Sequence, residues 1–167
     1  MTAPLKVLTK DMSLTLRAAV DDDEAFLREV YASSRAQELA VVPWNDEQRE
    51  AFLRMQFDAQ HSYYHAEYPE ASYQIILREA EPIGRMYVLR KEEEIEILDI
   101  TLLPQHRGAG IGTSLMRELL READRSGHAV NIWVEENNPS RSLFERLGFS
   151  KVHEEGFNWL LEYRRMQ

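Results

Sequence analysis

The chain has 167 residues, 44% of them hydrophobic and 29% charged, the size and balance of one soluble domain with a sizeable core. Its formal net charge of −9 argues against a nucleic-acid partner, which needs a basic stripe facing the phosphates, and suits a small or cationic substrate. The absence of cysteine excludes disulfides, thiolate metal sites and a cysteine nucleophile together.

No apolar run approaches the roughly 18 residues of a membrane span, and the N-terminus lacks the apolar core of a signal peptide. A cytoplasmic protein with no membrane partner is therefore expected. Residues 1–11 read as a loose leader, with Met12 an alternative start, before a single domain. SLTLRAA (13–19) alternates polar and apolar residues and predicts a strand. Asp21, Asp22 and Asp23 are N-cap candidates for a helix over EAFLREVYASSRAQELA, which Pro43 breaks. Asn45 or Asp46 can cap a second helix through EQREAFLRMQFDAQHSYYHA, with Phe52, Met55 and Ala59 on a shared face, and Pro69 ends it.

YQIILREA (73–80) and IGRMYVLR (83–90) predict a hairpin turning at Glu81 and Pro82, and KEEE leads into the strand IEILDITLL (95–103). QHRGAGIG (105–112) follows, then a helix with Ile111, Leu115 and Leu119 in one stripe, ending at Gly127. AVNIWVE (129–135) is a strand, NNPSRSLFERLG (137–148) a short helix, and FSKVHEE with FNWLLEYRR a closing hairpin. The order β-α-α-β-β-β-α-β-α-β-β predicts an α/β fold: a mostly antiparallel mixed sheet, one parallel pair around the glycine turn, and helices on both faces.

A strand emptying through glycines into a helix is a place to hold phosphate. Glycine lets the backbone approach the ligand, and unpaired N–H groups at the helix start point at it. GAGIG does not match the GxGxxG dinucleotide spacing, and no lysine stands before Thr113 as a P-loop requires.

The chain here resembles the GCN5-related N-acetyltransferase (GNAT) superfamily, whose signature stands as Gln105, Gly108 and Gly110, extended by Gly112. NNPSRSLFERLGF (137–149) is similar to the family's second block, at the family's interval of one helix and one strand. The resemblance implies acetyl-CoA as donor, no metal, and an amine acceptor, favoured as a small molecule, that attacks directly in a ternary complex. A homodimer is compatible with it.

Residue by residue, the resemblance places the CoA pyrophosphate on His106, Arg107, Gly108, Ala109, Gly110, Ile111, Gly112 and Thr113, beside Gln105, with Arg107 as side-chain contributor. It places the pantetheine arm on the backbone of Ile100, Leu102 and Leu103, and the thioester carbonyl on an N–H near Leu102. Asn137, Ser140 and Phe144 flank the arm, and Arg141 or Arg146 is a candidate for the 3′-phosphate. The amine, with a pKa of about 10.4, must lose a proton before attack. Glu96 is the best-placed base, with Glu94 on the same strand face and Asp99 a further candidate if a bulge changes the parity. These glutamates equally read as the solvated edge of a strand. Phe144 stands where the family often has a tyrosine, which removes the usual general acid. That departure keeps a second reading open, a non-catalytic acyl-CoA-binding regulatory module. His61 and His65, at i and i+4, lack a third metal ligand, and Tyr31, Trp44, Tyr63, Tyr64 and Tyr68 read as packing or as an acceptor wall.

Overall fold

The computed structural model describes residues 6–9 and 12–166. Eight strands form one sheet: β1 (Lys6–Thr9), β2 (Met12–Ala18), β3 (Ser72–Arg78), β4 (Glu81–Arg90), β5 (Glu94–Leu102), β6 (Ala129–Glu135), β7 (Ser150–Glu155) and β8 (Asn158–Tyr163). Their spatial order is β1-β2-β3-β4-β5-β6-β8-β7, and every neighbouring pair is antiparallel except β5 with β6. Within the segment expected to be a leader, Lys6–Thr9 pairs with β2, while positions 1–5, 10 and 11 lie outside the described residues.

Among the described residues four α-helices cover the sheet: α1 (Glu24–Ala40), α2 (Asp46–Glu67), α3 (Ile111–Ser126) and α4 (Arg141–Arg146). The Asp23 carboxylate does not cap α1. It accepts two 2.8 Å bonds from the Arg17 guanidinium and one from the Val20 N–H, tying the end of β2 to the start of the helix. Asn45 does cap α2: its side chain accepts from the Gln48 N–H at 2.8 Å, and the Gln48 side chain returns to the Asn45 N–H at 3.0 Å. Among the described residues no helix is long and apolar enough to cross a membrane.

Two details of the expected elements change. Met55 and Ala59 are exposed, Met55 at 58%, and Phe57 is the residue α2 buries. This helix carries polar and aromatic groups all round, so spacing alone does not mark its inner face. The β3–β4 turn falls at Glu79 and Ala80, with φ of 49° and 70°, and Pro82 belongs to β4. A bulge there matches Leu77 to Pro82 and Ile76 to Gly84, leaving Ile83 as the extra residue. Proline, without an N–H, is tolerated beside such an irregularity.

The core has two parts. On one face Val88, Ile95 and Ile97 pack against Ile111, Leu115 and Leu119 of α3 and Phe144 of α4. Burying each such side chain contributes about 1.5–3 kcal/mol. On the other face Leu27 and Tyr31 of α1 and Phe57 of α2 pack on Ile75 and Tyr87, with Leu98 at the margin. α1 and α2 therefore sit over β3–β5, and the same face of β6 carries Trp133, 40% exposed.

Gly84 lies opposite Leu102, and an added Cβ would stand 2.3 Å from the Thr101 carbonyl oxygen. Because that obstacle is backbone, β5 must move. Gly84→Val is expected to lower stability by about 2–3 kcal/mol. A denaturant titration matching the parent protein would show that the two strands can part without cost.

Candidate functional site

The parallel pair is short. β5 meets β6 from Glu94↔Ala129 to Ile97↔Ile132, and there the ladder stops. β5 runs on to Leu102 paired with β4, while β6 runs on to Glu135 paired with β8. A wedge-shaped gap opens between them toward their C-terminal ends. In open α/β sheets this is where ligands enter.

The main chain along this gap has a definite polarity. In an antiparallel ladder, residues alternate between exchanging both hydrogen bonds with their opposite number and pointing away. The Leu103 N–H donates to the Ile83 carbonyl at 2.8 Å, which fixes the phase. Asp99 and Thr101 therefore bond to β4, and the N–H and C=O groups of Ile100 and Leu102 face the gap. Leu103, expected beside the pantetheine, does not: its N–H is committed to Ile83, its carbonyl accepts from His106, and its side chain is buried. The Leu102 carbonyl accepts from Arg107 Nε at 2.9 Å.

A bulge makes this possible. Tyr87 is matched to Asp99 but Val88 to Ile97, so Leu98 is surplus. Before it, Ile95 and Ile97 point into the α3 core; after it, Ile100 and Leu102 point the same way. Asp99 and Thr101 join Glu94 and Glu96 on the α1–α2 face. The parity change foreseen as a condition for Asp99 thus occurs.

The bulge is held by a buried cation that sequence reading missed. Arg85, 3% exposed, places Nε 2.5 Å from Asp99 and NH2 2.9 Å from Gln60 of α2, with its guanidinium 4.8 Å from the centre of the Tyr87 ring. Burial opposes its charge, but Asp99, with Tyr87 and Tyr64 adding, holds the guanidinium above its ordinary value. The Thr101 hydroxyl donates to both Asp99 oxygens. Tyr64 of α2 donates to the Leu98 carbonyl at 3.3 Å, and burial, with Asp99 adding, raises its phenol well above the usual range. A lone arginine inside the apolar run IGRMYV was the available signal.

The glycine turn stands at the mouth of the gap. Gly108 and Gly110 have φ of 76° and 81°, and a Cβ on either would meet nothing within 4 Å. Ser114 is the first residue of α3 to bond back, to the Gly110 carbonyl, so the N–H groups of Ile111, Gly112 and Thr113 precede the helical ladder, and no side chain caps them. Ile111 itself is buried, so its side chain is turned into the core and only its backbone is available at the turn. Gln105, Arg107 and Ala109 are exposed; His106 is half-buried, and its Nδ1 has no partner. Leu143 of α4 would lie 3.8 Å from a Cβ on Gly112, which brings the 137–140 turn to the same end of the sheet. Asn137 and Ser140 are exposed there.

Other candidates disperse. Phe144 is 2% exposed and packs edge-on against Phe149. Arg141 lies over Trp159 and pairs with Glu145, while Arg146 is exposed. His61 stacks on Phe57 and His65 on Tyr73, and no group of three metal-ligating side chains forms among the described residues. Tyr31 is core, Trp44 packs on Phe52, and Tyr63 is 55% exposed. Glu96, its side chain 15% exposed, pairs with Lys91 at 2.9 Å, and its field adds to burial in raising Tyr68.

The sequence model of the Acetyltransferase (GNAT) family matches residues 21–149. A 62-residue stretch is 32% identical to the ribosomal protein bS18-alanine N-acetyltransferase of Haemophilus influenzae, covering 36% of this chain and 42% of that one. A 60-residue stretch is 37% identical to the mycothiol acetyltransferase of Saccharomonospora viridis, covering 35% of this chain and 18% of that one. The matches thus span less than half the length of these curated relatives. The fold is similar to that of PaiA N-acetyltransferase from Thermoplasma acidophilum, solved in complex with coenzyme A: the TM-score is 0.70 over 92% of this chain and 100% of that one, at 19% identity.

Removing one partner of a buried ion pair leaves the other uncompensated. Arg85→Ala is expected to cost about 3–5 kcal/mol in urea unfolding. A loss below about 1 kcal/mol would class the Arg85–Asp99 contact with surface pairs.

Proposed function

The chain belongs to the Acetyltransferase (GNAT) family, and from that premise we propose that it moves an acetyl group from acetyl-CoA to a small-molecule amine, by direct attack in one ternary complex. The observation that carries this reading is the gap between β5 and β6, lined by main chain that no neighbouring strand pairs and closed at one end by an uncapped helix start. Both features fit the donor: the open space over Gly108 and Gly110 admits an anionic group, and Ile100 and Leu102 offer an extended arm a strand-like edge. Acetyl-CoA supplies an acyl thioester when bound.

The N–H groups of 108–113 would hold the pyrophosphate, with Arg107 swinging from the Leu102 carbonyl to join them. An N–H near Leu102 would polarise the thioester carbonyl, and Asn137 and Ser140 would flank the arm. Glu96, six residues before Leu102 on the same strand, would take the proton of the amine through intervening water rather than by direct contact. Asp99 suits that role less, because Arg85 and Thr101 already occupy its oxygens. Phe144 has no hydroxyl, and the raised Tyr64 phenol is a poor acid. The thiolate then leaves unassisted, which its pKa of about 8.5 permits.

The burial of Phe144 also suits the second reading, an acyl-CoA-binding module without turnover. Thiol release over a broad amine panel separates the two: binding with no release from any acceptor selects the module. Gly110→Val should abolish acetyl-CoA binding in calorimetry, and retained micromolar affinity would remove the cradle assignment. Glu96→Gln should lower kcat/KM by about a hundredfold or more. The deficit should grow as pH falls, since more of the amine is then protonated. A mutant-to-parent ratio that stays flat with pH would demote Glu96.

A further inference from the structure

The turn joining β4 to β5 sets a cation on the carboxylate read above as the base. Lys91 Nζ lies 2.9 Å from Glu96 Oε2 and 3.2 Å from Glu94 Oε1. The other Glu94 oxygen accepts from Asn131 Nδ2 at 2.9 Å, which fixes that carboxylate between strands β5 and β6. The turn closes without the lysine side chain, because the Lys91 N–H donates to the Glu94 carbonyl at 2.9 Å. Glu96 is largely buried, whereas the Lys91 side chain is 45% exposed.

These facts describe a primary alkylammonium, on a flexible four-carbon stem, seated on a largely buried carboxylate. An acceptor amine arriving at neutral pH is the same chemical group. Glu96, by its hydrogen bond, raises Lys91 above its ordinary value despite partial burial, so the seat holds a full positive charge. An ion pair with one partner this exposed is weak, since water competes for the Lys91 ammonium. The contact can therefore be broken by an incoming ammonium, and Glu92 and Glu93, exposed in the same turn, can receive the displaced side chain.

We propose that Lys91 is a specificity-determining residue of the acceptor side: its ammonium stands in for the acceptor amine on Glu96 and Glu94, and an acceptor binds by displacing it. The acceptor class follows from the same pair of carboxylates. They favour an alkylamine or diamine and repel one that carries a carboxylate. This inference rests on the assignment of Glu96 made under the proposed function.

Cadaverine and L-lysine share a carbon chain and a terminal amine, and lysine adds the carboxylate. The parent protein should prefer cadaverine by about tenfold or more in kcat/KM. Lys91→Met should lower the KM for cadaverine about threefold, the scale of an exposed ion pair, and leave kcat nearly unchanged. Lys91→Gln should act in the same direction and Lys91→Arg should restore the parent KM, which a purely structural role of the turn would not produce. Calorimetric titration of cadaverine makes the test independent of turnover: affinity should rise in Lys91→Met and fall in Glu96→Gln. Equal affinity in parent and both variants, an unchanged KM in Lys91→Met, or equal use of lysine and cadaverine overturns the proposal. Absence of thiol release with every amine, with the affinity differences intact, overturns the transferase reading instead.

Discussion

β5 has one residue more than β4 can match, and the surplus falls at Leu98, immediately beyond the last rung shared with β6. Without it, Asp99 and Thr101 would turn into the α3 core and Ile100 and Leu102 would turn out. With it, the strand keeps apolar groups on one side through its whole length. Its outer main-chain edge also keeps one direction, bonded to β6 as far as Ile97 and free beyond. The gap is thus a consequence of register. It requires that the bulge stay in place, and that is what the Arg85–Asp99 pair, Gln60 and Tyr64 secure from the α2 side.

The same strand separates charge along its axis. Its N-terminal end follows four consecutive positions, 91–94, that read Lys-Glu-Glu-Glu, and carries Glu96 two residues on. Its C-terminal end opens into 105–117, a stretch with no acidic residue and with His106, Arg107 and the bare N–H groups of α3. At about 3.3 Å per residue, β5 holds these two environments a few nanometres apart at most. An anionic donor and a cationic acceptor can therefore approach from opposite ends without sharing a binding surface. The overall charge of −9 conceals this division.

How much of this was legible depended on whether the signal was local. α1 and β6 were readable residue for residue, because periodicity in the one and β-branched content in the other lie inside the elements themselves. The glycine turn was readable because its residues are chosen for backbone conformation. The α2 face was not, since a helix with aromatic and polar groups all round has no single stripe. Pro82 misplaced a turn because proline marks irregular backbone without saying on which side of it the chain reverses. Arg85, Leu98 and Lys91 owe their roles to partners 14, 34 and 5 positions away along the chain rather than to a motif: Asp99 for the first, Tyr64 for the second, Glu96 for the third. The family resemblance carried by 105–112 and 137–149 agrees with the family match over 21–149.

Unpaired strand edges ordinarily invite another chain to add on, and proteins blunt them with charge, irregular backbone or a covering element. The free edge at Ile100 and Leu102 is sheltered differently. It lies inside the sheet, between two strands that have already met at their other end, and Arg107 occupies the Leu102 carbonyl. A second polypeptide would have to enter lengthwise through a closing wedge, with side chains alternating to both faces. A thin, flexible chain with amide groups spaced along it meets no such obstacle. The recess therefore acts as a filter on aggregation: it leaves hydrogen-bonding capacity open to slender ligands and closed to strands.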